Sequence, residues 1–296
     1  MGRGTVTPPD ALWNPCGHTY IMRLRMRRYP LFFLRWKARA RSRAHKGSVQ
    51  VVPGGAVEGE RDLLVYTPAA YGRTDARYPV IYMQDGQNLF DPRTSFAGDW
   101  GLKGALAWAS RRGADAIVVG IPNRGTARID DYTPFVDPKI GGGQGERYLD
   151  YLINRVKPLI DERFRTQPDA RHTGIAGSSL GGLISLYAYF QYPEVFGFTA
   201  ALSPSLWFAN LAMLDVVEQS SRGGGGGRVY LDVGLKEGPA HVALARRLRD
   251  LLVSKGYDLR SDLRWVEDRE GRHHESAWGR RFRKALPFLL RNGKPE

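Results

Sequence analysis

One cysteine in 296 residues, Cys16, leaves no intramolecular disulfide to form and no thiolate cluster to hold a metal. That scarcity implies no oxidising compartment, and the expected location is cytoplasmic. Long apolar runs are missing too. The longest near the N-terminus, "YPLFFL", is too short for a membrane span or for the core of a secretory signal. Arg27-Arg28 stand before it, but Arg35 interrupts the apolar run and no small-residue cleavage site follows, so no export signal is read. Glycine is abundant, yet "SRGGGGGR" and "IGGGQGER" lack both Gly-Lys-Ser/Thr and the full G-x-G-x-x-G spacing, which leaves nucleotide binding unsupported.

Acidic residues are also in deficit, 30 against 44 Lys and Arg, but the imbalance is local. Residues 1–46 hold eleven Lys or Arg and one acid, Asp10, so +10 of the net +14 lies there and the other 250 residues carry +4. The head interleaves arginine with Leu, Phe and Trp. That composition suits weak contact with an anionic membrane or a polyanion, but the preferred reading is a flexible, poorly ordered extension. The expected organisation is a basic segment, 1–46, followed by one domain, 47–296.

From residue 47 onward the pattern becomes regular. "SVQVVP" and "RDLLVYTP" read as paired strands, and "YPVIYMQ" as a strand buried in a central sheet. A helix near 102–111 precedes strand "DAIVVGI"; a longer one carries Leu149, Leu152, Ile153, Val156, Leu159 and Ile160 on one face. There follow strand "HTGIAG", helix "LGGLISLYAYFQYP", strand "FGFTAAL", helix 211–219, strand "RVYLDVG", helix 242–253, strand "LRSDLRWVE" and a helix through "ALPFLL". Such alternation predicts an α/β fold, a mostly parallel sheet with helices on both faces.

Between one strand and the next helix lies "IAGSSLGG". Gly177-x-Ser179-x-Gly181 has the spacing of a nucleophile elbow, where small residues two before and two after a serine let a strand turn abruptly into a helix. A serine hydroxyl needs an imidazole to take its proton, and the imidazole needs a carboxylate to fix its tautomer. In hydrolases built on such a sheet the chain order is Ser, acid, His. Glu237 in "GLKEGP" and His273 and His274 in "EGRHHESAW" follow later strands in that order. Asp232 competes with Glu237 as the acid, but it lies within the strand pattern. His241, four residues beyond Glu237, is an alternative imidazole. Oxyanion donors are expected from the N–H of Leu180, after the serine, and the N–H of Gln87, aimed by the turn at Asp85-Gly86.

The segments "VIYMQDGQNLFD", "IPNRGTARIDDYTPF", "IAGSSLGGLISLYAY", "ALSPSLWF", "VYLDVGLKEG" and "HHESAWGRRFRKALPFL" together resemble one esterase family of the α/β-hydrolases. It takes in esterase D, enterochelin esterase-like proteins, feruloyl esterases and mycolyltransferases. The resemblance covers about 48–292 and implies the α/β-hydrolase fold, Ser179 as nucleophile, His273 as base, Glu237 as acid, and Gln87 and Leu180 amides as oxyanion hole. It further implies that Asp85, Asn88, Trp100 and Trp207 line the substrate pocket, unless they serve as core or loop packing. Phe164 departs from the family's usual tyrosine after the long helix. The expectation is a serine ester hydrolase acting on a small-molecule ester, with no metal and no cofactor; acyl transfer to an alcohol, or an inactive binding homologue, are the alternatives.

Overall fold

A computed structural model describes residues 47–54, 61–95, 98–222 and 227–291. The basic segment 1–46, with its expected membrane or polyanion contact, lies outside them. The described residues form ten strands: β1 (Ser48–Pro53), β2 (Asp62–Thr67), β3 (Val80–Met83), β4 (Ile117–Gly120), β5 (Val136–Asp137), β6 (Gly141–Gly142), β7 (Thr173–Ser178), β8 (Phe198–Leu202), β9 (Arg228–Gly234) and β10 (Leu263–Asp268). Eight of them make one sheet in the order β1-β2-β4-β3-β7-β8-β9-β10, while β5 and β6 pair separately. β2 runs antiparallel to both neighbours, and β4 through β10 are mutually parallel along that order.

The central strands are apolar at consecutive positions because the sheet is covered on both sides. Helices α1 (Leu102–Ser110), α2 (Arg128–Tyr132), α3 (Gly145–Tyr151), α4 (Lys157–Arg163), α5 (Leu180–Gln191), α6 (Ala212–Gln219), α7 (Pro239–Ser254) and α8 (Glu275–Leu289) complete the described fold. On one face Ile81, Met83, Val118, Ala200 and Tyr230 meet Leu106 of α1 and Phe282 and Leu286 of α8. On the other, Val80, Tyr82, Val119, Ile175 and Leu231 meet Leu149, Leu183, Leu214 and Leu248. The period-two alternation within β3 thus assigns neighbouring residues to opposite layers. Each fully buried aliphatic side chain contributes roughly 1.5–3 kcal/mol to holding those layers together.

Three local outcomes differ from the sequence reading. The long helix is interrupted by a π-helical stretch, Leu152–Val156, just before Pro158. Proline has no N–H to return to the Asn154 carbonyl, so the ladder slips there. β10 begins at Leu263, not at the leucine four residues earlier, because Asp258 accepts hydrogen bonds from the amides of Arg260 (2.7 Å) and Ser261 (2.9 Å) and holds a turn. α7 starts at Pro239, ahead of the expected 242, since proline's fixed φ suits a first helical turn.

Because β3, β7, β8, β9 and β10 are parallel, the residues that follow them gather at one edge of the sheet. Asp85, Ser179, Ser203, Glu237 and His273 all stand there. His172, in the turn before β7, is at the opposite end.

Candidate active site

Ser179 sits between the last residue of β7 and the first of α5, with φ 56° and ψ −124°. A non-glycine residue rarely adopts that conformation, and strain of this kind persists only where surrounding packing imposes it. The flanking glycines show what imposes it. A Cβ on Gly177 would lie 2.6 Å from the Gly181 carbonyl, and one on Gly181 would lie 2.9 Å from Cβ of Gln84. No side chain fits at either place. The Ser179 amide donates to Leu202 O at 3.0 Å, and its carbonyl accepts from Gly182, Leu183 and Ser205. Its hydroxyl lies 3.1 Å from Ser205 Oγ.

His273 follows β10, and its Nδ1 lies 2.9 Å from Glu237 Oε2. A carboxylate can only accept, so this nitrogen carries the proton and leaves Nε2 with its lone pair. The ring packs edge-on against Trp278 at 4.8 Å and His241 at 5.3 Å. Glu237 is buried in the turn after β9. Burial pushes its pKa up, but the His273 hydrogen bond and charge, with Ser203 and Arg281, outweigh that and hold it at about 2. The other oxygen, Oε1, accepts from Ser203 Oγ (2.7 Å) and Gly234 N (2.9 Å). Asp232 is occupied elsewhere: it accepts from Arg281 Nε at 3.0 Å and Ser203 N at 3.1 Å. The carboxylate that reaches His273 is therefore Glu237. Among the described residues no hydrogen bond joins Ser179 to His273.

Leu180 is the first residue of α5, so its N–H has no acceptor within the helix. Gln87 lies in the tight turn Gly86–Asn88 after β3, and among the described residues neither amide donates to a protein group. The turn is set by Asp85, left-handed at φ 53°. Its carboxylate accepts from Arg128 Nε (2.7 Å) and Nη2 (2.8 Å) and from Asn123 Nδ2 (2.6 Å), and its amide donates to Tyr132 Oη at 2.9 Å.

The four expected pocket residues divide by burial. Asp85 is engaged as above. Asn88 is buried, with Nδ2 3.5 Å from Glu275 Oε1. Trp100 is buried against Phe282 and Trp278, at 5.7 and 6.3 Å between ring centroids. Trp207 alone of the four is partly exposed, beside Phe208. His274 is exposed and caps α8, its Nδ1 accepting from Ser276 N at 3.2 Å.

Four contributors escaped the sequence reading: Ser203, Ser205, Arg281 and Arg128. The first two lie inside "ALSPSLWF" and Arg281 in "AWGRRF", so the signal was motif membership, but the partners lie far along the chain. Ser203 Oγ donates to Glu237 and accepts from Arg281 Nη2 (2.7 Å) and Trp278 Nε1 (3.2 Å), tying β8, β9 and α8 into one node.

A strained serine turn after a central parallel strand, with a His–carboxylate pair at the same edge, defines the α/β-hydrolase class, and solved structures share the fold. The BES protein from Bacillus cereus aligns with a TM-score of 0.66 at 22% identity, over 86% of this chain and 98% of that one. The enterobactin esterase FES from Shigella flexneri aligns at 0.64 and 18% identity, over 82% and 58%. The family described as "Putative esterase" matches residues 54–289, and the chain belongs to it: it is a carboxylic-ester hydrolase. Among sequence relatives, the uncharacterized protein YbbA of Bacillus subtilis is 28% identical over 244 residues, 78% of this chain and 93% of that protein. The siderophore triacetylfusarinine C esterase of Aspergillus fumigatus is 34% identical over 142 residues, 46% of this chain and 47% of its own length.

Proposed function

We propose that the chain hydrolyses a small or medium ester through a Ser179–His273–Glu237 triad and an acyl-enzyme. The observation that carries this reading is the 2.9 Å contact between His273 Nδ1 and Glu237 Oε2, formed at the sheet edge where the elbow presents Ser179. Ser179 Oγ turns from Ser205 toward His273, gives its proton to Nε2 and attacks the ester carbonyl. The amides of Leu180 and Gln87 receive the negative charge on the carbonyl oxygen. His273 returns the proton to the departing alcohol, then takes one from water, whose oxygen attacks the acyl carbon and releases the acid with Ser179 restored. Glu237 stays ionised throughout and holds the ring in the tautomer that accepts at Nε2. Apo hydroxyl–imidazole contacts of this kind commonly tighten only in the substrate complex.

Relatives named for siderophore esters and for a feruloyl ester support an ester of a small organic acid as the substrate class. A series of p-nitrophenyl esters from acetyl to dodecanoyl, followed by a feruloyl ester, tests the reading. Ser179→Ala is expected to abolish turnover and fluorophosphonate labelling, while Ser178→Ala, the buried end of β7, leaves both measurable. Equal loss in the two variants would remove the elbow from the mechanism. Products formed with added glycerol separate hydrolysis from transfer to an alcohol.

A further inference from the structure

The carboxylate that faces His273 also faces a second imidazole. His241 lies four residues after Glu237, on the first turn of α7, and its Nε2 stands 3.5 Å from the same Oε2 that bonds His273. One nitrogen of each ring and a Glu237 oxygen lie within 4.8 Å of one another. Around Zn²⁺, with bonds of about 2.0–2.1 Å and tetrahedral angles, ligand atoms stand about 3.3 Å apart. Two of the three edges, 2.9 and 3.5 Å, bracket that spacing, and the third, between the ring nitrogens, lies within 4.8 Å, so a cation draws the two rings together by adjusting the His273 ring. That ring is the exposed member, 32% exposed, against 3% for His241 and 0% for Glu237.

Two further features suit a cation. The His241 ring is hydrogen-bonded to the backbone of Ser203, the kind of outer support that orients a metal-bound imidazole. Arg281 is the nearest positive charge, 3.4 Å from the far oxygen, Oε1. It is shared with Asp232 (3.0 Å), and Asp268 lies between it (3.9 Å) and Arg280 (3.8 Å). The Glu237 oxygen that faces the two imidazoles, Oε2, is thus not the one that meets the guanidinium.

We propose that Glu237, His241 and His273 form a reversible site for a zinc-type divalent cation, whose occupation switches the esterase off. The switching half rests on the triad reading above; the binding half does not. In the free enzyme His273 carries its proton on Nδ1 and offers the Nε2 lone pair to Ser179. With the cation on Nδ1, the neutral ring keeps its single proton by relocating it through solvent to Nε2. No proton is released by the ring, Glu237 is already ionised, and Nε2–H cannot accept from the serine. The cation thus holds the imidazole in the inactive tautomer and occupies the carboxylate that would correct it.

The test uses the full chain in a non-coordinating buffer. Cobalt(II) chloride titrated into Ser179→Ala is expected to give visible ligand-field bands of a tetrahedral nitrogen–oxygen site. Those bands should be lost in Ser179→Ala carrying His241→Gln or His273→Gln. With zinc chloride, wild-type turnover of p-nitrophenyl acetate should fall at micromolar concentration and return fully with EDTA. His241→Gln, normalised to its own zinc-free rate, should need about tenfold more zinc for the same fractional loss. Bands that survive in both histidine variants, or equal zinc sensitivity with and without His241, overturn the proposal. Should His241→Gln fail to fold, slowed fluorophosphonate labelling of the wild type by zinc, restored by EDTA, decides the switching half, and the His273→Gln spectrum decides the binding half. Turnover persisting in Ser179→Ala would instead remove the triad reading and leave the cobalt spectrum standing.

Discussion

Arg128 grips Asp85 through two parallel hydrogen bonds, Nε to Oδ1 at 2.7 Å and Nη2 to Oδ2 at 2.8 Å. The pair spans 43 residues of sequence and holds the left-handed turn at Asp85, next to Gly86 and the amide of Gln87 proposed above as an oxyanion donor. Removing one partner leaves a largely buried carboxylate without its cation, which costs about 3 kcal/mol in comparable settings. Arg128→Ala should therefore lower the urea-unfolding free energy by about that amount and reduce kcat about tenfold. Arg128→Lys should recover less than half of the stability, because an ammonium cannot reproduce the planar fork. Unchanged unfolding and kcat in Arg128→Ala would show that the turn holds itself.

The adjacent histidines should separate cleanly. His273→Ala removes the group bonded to Glu237 and is expected to lower kcat by about 10³-fold or more. His274→Ala removes only the α8 cap and should cost about 1 kcal/mol of stability with kcat within about threefold. Steady-state kinetics and thermal unfolding of both variants check this, and a larger kcat loss in His274→Ala would reverse the assignment.

The tryptophans should divide by burial. Trp100, packed on Trp278 and Phe282, is expected to cost about 3–5 kcal/mol as Trp100→Ala, with activity lost through unfolding. Trp207→Ala, at a partly exposed position two residues from Ser205, should keep its unfolding free energy within about 1 kcal/mol and raise KM for aryl esters more than for acetyl esters. Parallel shifts in KM for both ester types would place Trp207 outside the pocket.

Glu275 supplies a pH test. Burial pushes its pKa up, as does the Asp85 charge, against the opposing pull of its backbone amide and the nearby histidines. A carboxyl with a raised folded-state pKa gives its full stability below the unfolded value, near 4.5, and loses it as pH rises through the folded one. Glu275→Gln keeps an acceptor for Asn88 and no longer titrates. Its unfolding free energy should match the wild type at acid pH and exceed it at neutral pH. A gap that closes as pH rises would contradict the sign.

The sequence made the sheet legible because its strands are continuously apolar and punctuated by glycine and proline. "RVYLDVG" coincides with β9 from end to end. The elbow was legible because its geometry is local, and Glu237 could be preferred to Asp232 because a residue beyond a strand's carboxyl end is free to turn toward the edge. Ser203, Arg281 and Arg128 were not legible. Their roles are contacts across 34, 44 and 43 residues, and no spacing rule joins them. The two-residue strands β5 and β6 are too short for any periodicity, and Asp258 took backbone amides that apolar patterning had assigned to β10.

The node at Ser203 has a bearing on synthesis. Glu237 is tied to Arg281, and His273 rests on Trp278, both on α8, so the carboxylate and imidazole of the proposed triad are oriented by chain made after β7, β8 and β9. Ser179 can be made, and β7 paired with β8, long before those partners arrive. On the triad proposed above, a nascent chain arrested ahead of α8 would hold a formed elbow and no oriented imidazole, silent toward esters until translation carries the helix clear.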